Sequence, residues 1–134
     1  MTFIFPHCPE ALARALDGAE VDGRTVSTYF PLLMPDYTKH LPAVHLASTG
    51  EGRADGPLAA EGVRVDCYAD PFSVMRLANS LAAWMETPGG RPTPLGHIDS
   101  MRVSQRPMFI EFPSDEIARA TFTVLCDTRG EYAA

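Results

Sequence analysis

Cysteine is scarce in this chain, and what there is does not pair off. Cys8, Cys67 and Cys126 are the only cysteines in 134 residues. The number is odd, the spacings are wide and no Cys-x-x-Cys occurs, which excludes the usual zinc and dithiol patterns. A disulfide framework needs more cysteine and a secretory leader. Long apolar runs are also lacking. Nothing approaches the roughly 20 apolar residues of a membrane helix, so no membrane partner is expected. The opening "MTFIFPHCPE" has no basic region and only a very short apolar run, which is not the pattern of a signal peptide. Clusters of lysine and arginine are missing too, and the net charge is −6. An acidic balance argues against non-specific nucleic-acid binding, where phosphates demand a basic face. These absences point to a protein made in a reducing cytoplasm, working there or in something assembled there.

Recognisable chemistry is equally thin. The histidines are His7, His40, His45 and His97. His40 and His45 are five apart across Pro42, so they do not form the i, i+4 pair of a zinc helix. The glycine-rich "TGEGRADGP", 49–57, lacks the Gly-Lys-Ser/Thr ending of a phosphate loop and precedes a strand pattern rather than a helix. It reads as a mobile hairpin tip. Ser104, Ser114 and Asp99 sit in strand and turn contexts with no G-x-S-x-G elbow. Arg106, Phe109 and Phe112 suggest base stacking, but the signature of an RNA-recognition domain is absent and the charge is wrong. No catalytic residue, cofactor or metal ligand is expected, and no enzyme activity.

What the chain does have is an ordinary globular composition, 46% hydrophobic and 21% charged, in a length that fits one domain, 1–134. Cys67 and Cys126 lie in strand-like runs and read as small buried residues. "CPEALARALDG" predicts a short N-terminal helix, with Pro9 in its first turn and Leu12 and Leu16 on one face. "RTVSTYF" alternates as a strand. "PLLMPDYTKHLP" carries Pro31, Pro35 and Pro42 and reads as irregular, yet Leu32, Leu33 and Met34 ask for something to pack against, with another subunit as the candidate. "AVHLAS" and "GVRVDCY" read as two strands of a hairpin, with Val63, Val65 and Cys67 on one side. "DPFSVMRLANSLAAWME" is the clearest helix: Asp70 suits an N-cap, Pro71 suits N1, and Leu77, Leu81 and Trp84 fall at i, i+4, i+7. Pro88, Gly89 and Gly90 end it. "MFIEF" puts Met108, Ile110 and Phe112 on one face and marks Met108 and Phe112 as folding residues. In "ARATFTVLCDTR", Phe122, Val124 and Cys126 point inward while Thr121 and Thr123 point outward. Arg106-Pro107 marks a bend or an edge. The order of elements predicts an α+β fold in two layers: a mainly antiparallel sheet with one long helix packed across it and a short N-terminal helix.

Two blocks carry a resemblance. "VRVDCYADPFSVMRLANSLAAWM" and "SMRVSQRPMFIEFPSDEIARATFTVLCDTRG" together span 63–130. They resemble the middle and C-terminal blocks of tail terminator proteins from long-tailed bacteriophages, siphophages of the actinobacterial type. The shared features are a V-x-V-D-x-x-A strand, an Ala/Leu-rich helix, a Gly/Pro connector, Arg-Pro beside an aromatic strand, and a long Thr/Val strand ending in Thr-Arg. The resemblance implies a structural virion protein that caps the tail tube, terminates its polymerisation and joins tail to head. It implies self-association into a closed ring, hexameric in that family. The implied partners are the major tail tube protein and a head-completion or connector protein. DNA would pass through the lumen without specific binding. The place of action would be the head–tail interface of the virion, with assembly in the host bacterial cytoplasm. The candidate contact residues are Leu32, Leu33, Met34, Glu51, Arg53, Asp55, Arg106 and Pro107. A head-completion neck protein is the nearest alternative; a small ligand-binding or enzyme domain is the alternative of another class.

Overall fold

The computed structural model describes residues 3–86 and 90–132. The expected helix stop at Pro88 and Gly89 lies outside the described residues. The elements run β1 (Phe3–Ile4), α1 (Cys8–Leu16), β2 (Glu20–Val21), β3 (Arg24–Thr25), β4 (Ser27–Tyr29), a 3₁₀ turn (Pro35–Lys39), β5 (Ala43–Asp55), β6 (Leu58–Ala69), α2 (Val74–Met85), β7 (Arg91–Thr93), β8 (Gly96–Ile110), β9 (Ala118–Arg129) and β10 (Glu131–Tyr132). Six of the strands form one curled sheet, a half-barrel in the order β4-β5-β6-β9-β8-β7. β4 and β5 are parallel; the other neighbours are antiparallel. β1 pairs with β10, and β2 with β3, in two small separate sheets.

This corrects the two-layer expectation. Strand makes up 52% of the structure, and no long helix lies across the sheet. The two helices have 9 and 12 residues. The reasons are local. Asp70 does not cap α2. Its Oδ1 accepts a hydrogen bond from the Ser73 hydroxyl at 2.5 Å, closing a turn, and the helix starts at Val74. The glycine-rich tip at 49–57 is not a loop: β5 and β6 run through it to a tight turn at Gly56-Pro57. A register shift between Ser48 and Gly52 absorbs the excess residues as a bulge. The Arg106-Pro107 interruption does not divide two strands either. It sits within the 15-residue β8, which takes its own register shifts at 98/100, 103/105 and 105/108.

The core lies between one face of this sheet and the two helices. β9 alternates without a break: Ala118, Ala120, Phe122, Val124, Cys126 and Thr128 are buried. Phe122, Val124 and Cys126 therefore point inward, as their spacing predicts. They meet Val63, Val65 and Cys67 from β6, Leu12 and Leu16 from α1, and Leu77 and Leu81 from α2. The register explains the fit, because Val65 lies opposite Phe122 and Val63 opposite Val124. Cys8, Cys67 and Cys126 are all buried as free thiols. Burial pushes the Cys67 thiol up; that of Cys8 is raised first by its hydrogen bond with Cys126, then by burial.

Long-range contacts fix the helices. The His7 side chain makes no cap hydrogen bond at the start of α1. The Cys8 N–H there donates instead to Glu61 Oε1 on β6, at 3.0 Å, which places a carboxylate against the positive end of the helix. Asp22 and Gly23 both have positive φ, the conformation a tight β2–β3 hairpin requires. That hairpin carries Arg24, whose Nη1 donates to Ser73 Oγ at 2.8 Å, and Asp22, whose Oδ2 accepts from Arg76 Nε at 2.6 Å. At the other end of α2, Arg91 lies over the Trp84 ring, 3.5 Å from its centroid, and donates to the Trp84 carbonyl.

Candidate assembly surface

The face of the sheet away from the helices carries the polar residues of each strand. At its centre is a buried carboxylate. Asp66 is 1% exposed. Arg64 Nε donates to its Oδ2 at 3.1 Å, and His45 Nδ1 stands 3.9 Å from the same oxygen. Arg119 Nη2 is 3.2 Å from Oδ1, within ion-pair range but without hydrogen-bond alignment. The proline-rich stretch covers one side of this cluster. His45 Nε2 bonds the Pro31 carbonyl at 2.8 Å, and Tyr37 packs on Tyr68 at 5.2 Å. Phe112 meets the Tyr68 ring edge-on at 5.7 Å. Burial raises the Tyr68 hydroxyl above its ordinary range. His45 and Tyr68 secure the covering segments to the sheet beside this carboxylate and its two arginines.

The expected contact residues fall on two opposite edges of the sheet. Leu32 and Met34 leave the β4 edge 68% and 52% exposed, with Leu33 half-buried between them. Glu51, Arg53 and Asp55 are exposed on the far half of β5, beyond the reach of β4. Arg53 and Asp55 line a hollow of ≈ 390 Å³ with Leu58, Asp99 and Asp127. Arg106 and Pro107 lie on the other edge, in the part of β8 that β7 does not cover. The structure brings the first two groups to one side and sets the third apart.

Sequence reasoning missed three features. Met108 and Phe109 are 43% and 56% exposed, so "MFIEF" is not a core strand; Phe112 is only half-buried. Met108, Ile110 and Phe112 do alternate, but on the face opposite the helices. The exposed Phe72, in the turn before α2, was read as the first turn of a helix. Arg102, exposed on the β8 edge, was given no role. The available signal was Arg106-Pro107 itself, because a proline beside charge within a strand marks an edge, and apolar neighbours on an edge are then exposed.

Each histidine keeps its own neighbour: His7 lies near Glu61, His40 near Asp36, His45 near Asp66 and His97 near Asp99. Among the described residues, no group of three or more His, Cys, Asp or Glu is placed to hold a metal ion. A cleft of ≈ 670 Å³ opens between the β1–β10 pair and the β7–β8 turn. His97, Asp99 and Arg129 line it, and Arg129 Nε donates to Asp99 Oδ2 at 3.0 Å. No serine, threonine, cysteine or lysine is among the described residues lining it.

No protein-family model matches this chain, and no curated protein matches it. A solved structure that bears only a sequence label for a name is similar at 11% identity, with a TM-score of 0.43, over 92% of this chain and 87% of that one. A likeness that faint carries no argument about what the chain is or does.

Proposed function

We propose that this chain is a structural subunit that closes into a ring, caps the tail tube of a long-tailed phage and joins the tail to the head. The observation that carries the reading is the pair of unsatisfied lateral edges. Apolar side chains stand in solvent on both sides of one sheet, at Leu32 and Met34 and at Met108 and Phe109. Exposed apolar groups placed this way suit head-to-tail contacts between copies. The two blocks that resemble tail terminators span β6, α2, β8 and β9, the rigid centre that holds those edges apart. The function lies in geometry: the lateral edges bind copies, and the two ends of the ring meet the tube and the head connector.

The reading is tested by mixing the purified chain with polymerised tail-tube protein from the same genome. Ring-shaped caps at one end of each tube, with tube growth stopped there, support it. Uncapped tubes that keep growing refute it. The cleft beside Asp99 is the one feature that favours a ligand-binding domain instead. A strictly monomeric chain that binds a small molecule there would mark that alternative.

A further inference from the structure

The two lateral edges match each other in height, in face and in strand direction. Follow one rung of the sheet. Met108 lies opposite Thr121, Thr121 opposite Asp66, Asp66 opposite His45, and His45 beside Tyr29. His45 in turn bonds the Pro31 carbonyl, where the chain leaves for Leu32 and Met34. Met108 therefore sits on the face away from the helices, level with the point where the chain leaves for Leu32 and Met34. A second rung repeats the pattern with charge. Arg102 lies opposite Leu125, Leu125 opposite Gly62, and Gly62 faces the bulge that holds Glu51. A Cβ placed on Gly62 would stand 3.4 Å from the Glu51 Cβ, so both side chains leave from that same face. Neither Glu51 nor Arg102 has an ion-pair partner among the described residues.

Direction agrees as well. β5, β6, β9 and β8 alternate in sense, so β5 and β8 run oppositely. A second copy brought alongside by rotation alone sets its β5 antiparallel to the first copy's β8. The edges are not built for a continuous ladder. β8 carries Pro107 and three register shifts, the Val103 N–H is taken by Glu86 Oε1 at 3.0 Å, and β5 carries its own bulge. Such devices block main-chain pairing and leave side chains to make the contact.

We infer that the subunit contact is this edge-to-edge meeting. Glu51 of one copy faces Arg102 of the next, and Leu32 and Met34 of the first cover Met108 of the second. The inference rests on the ring reading above and specifies its seat. Each copy has one edge of each kind, so the contact is heterologous and closes only as a ring.

Charge reversal tests it. Glu51→Arg and Arg102→Glu are measured singly, mixed one with the other, and combined in one chain. The readout is sedimentation velocity at fixed salt, free and on tail tubes, with circular dichroism to confirm folding. Each single reversal turns attraction into repulsion and weakens association about tenfold per contact. The mixture and the doubly reversed chain both recover it, and raised salt mutes every effect. If the wild type associates but the single reversals leave that unchanged, or if neither combination recovers it, this contact is wrong while the ring reading stands. If the wild type associates through these edges yet never sits on a tube, the tail reading alone fails. If the wild type stays monomeric free and on tubes, both fall.

Discussion

At the scale of single residues, burial decides which side chains the fold needs. Phe122 is fully buried at the centre of β9, whereas Phe109 stands in solvent on β8. Phe122→Ala should cost about 3–5 kcal/mol of stability, and Phe109→Ser within about 0.5 kcal/mol of nothing. Urea titration of both variants checks this. Asp66 is a different case, because its value lies in the cations around it. Asp66→Ala leaves Arg119 and Arg64 without their carboxylate and should cost about 1–3 kcal/mol, reduced from a fully buried pair because both arginines reach water. A loss confined to the covering stretch would show as early proteolysis near Tyr37. Asp70 adds a pH dependence. The Ser73 hydroxyl, and then Arg24, hold its carboxyl below the usual carboxylate range. A lowered folded value means stabilisation that is present above the unfolded pKa of about 3.9 and lost as the pH falls through the folded value. Acid unfolding curves of the wild type should therefore fall more steeply below about pH 4 than those of Asp70→Asn. Parallel curves would remove Asp70 from the account.

At the scale of elements, the long arm of β5 and β6 is the feature most exposed to change. Gly62 lies where that arm bulges. A Cβ there meets the Thr49 hydroxyl and crowds Glu51. Gly62→Val should force the bulge open at a cost of about 1–3 kcal/mol and speed amide exchange across 49–55 more than in β9. Uniform exchange in both strands would contradict it. The elements also show what was legible in the sequence. The strict alternation of 118–129 and the Leu12/Leu16 spacing of α1 are local patterns, and both gave the right faces. Two readings failed because the deciding partner is remote or competes locally. Glycines at 50, 52 and 56 look like a loop, but β6 offers a full partner, and pairing overrode their composition. Asp70 looks like a cap, but it prefers Ser73. Asp22-Gly23 carried a hairpin signal that was passed over. The candidate surface was legible only by halves. Leu32 to Met34 stood out because apolar residues among prolines lack an obvious partner. Met108 and Phe109 did not, because a period of two names a face without saying whether anything covers it.

At the scale of the whole molecule, the acidic balance and the two bare edges support one account. A net charge of −6 repels separate copies at long range and, in the proposed ring, would repel DNA in the lumen. Short-range contacts between matched edges then have to supply the adhesion. That combination suits a part that stays soluble until it meets its own kind on a template. The most direct measurement is negative-stain imaging, with mass determination, of the purified chain alone and on polymerised tail tubes. The account predicts closed rings of one size, stacked on a single tube end. Monomers at every concentration, open fibres, or rings that ignore the tube would contradict it.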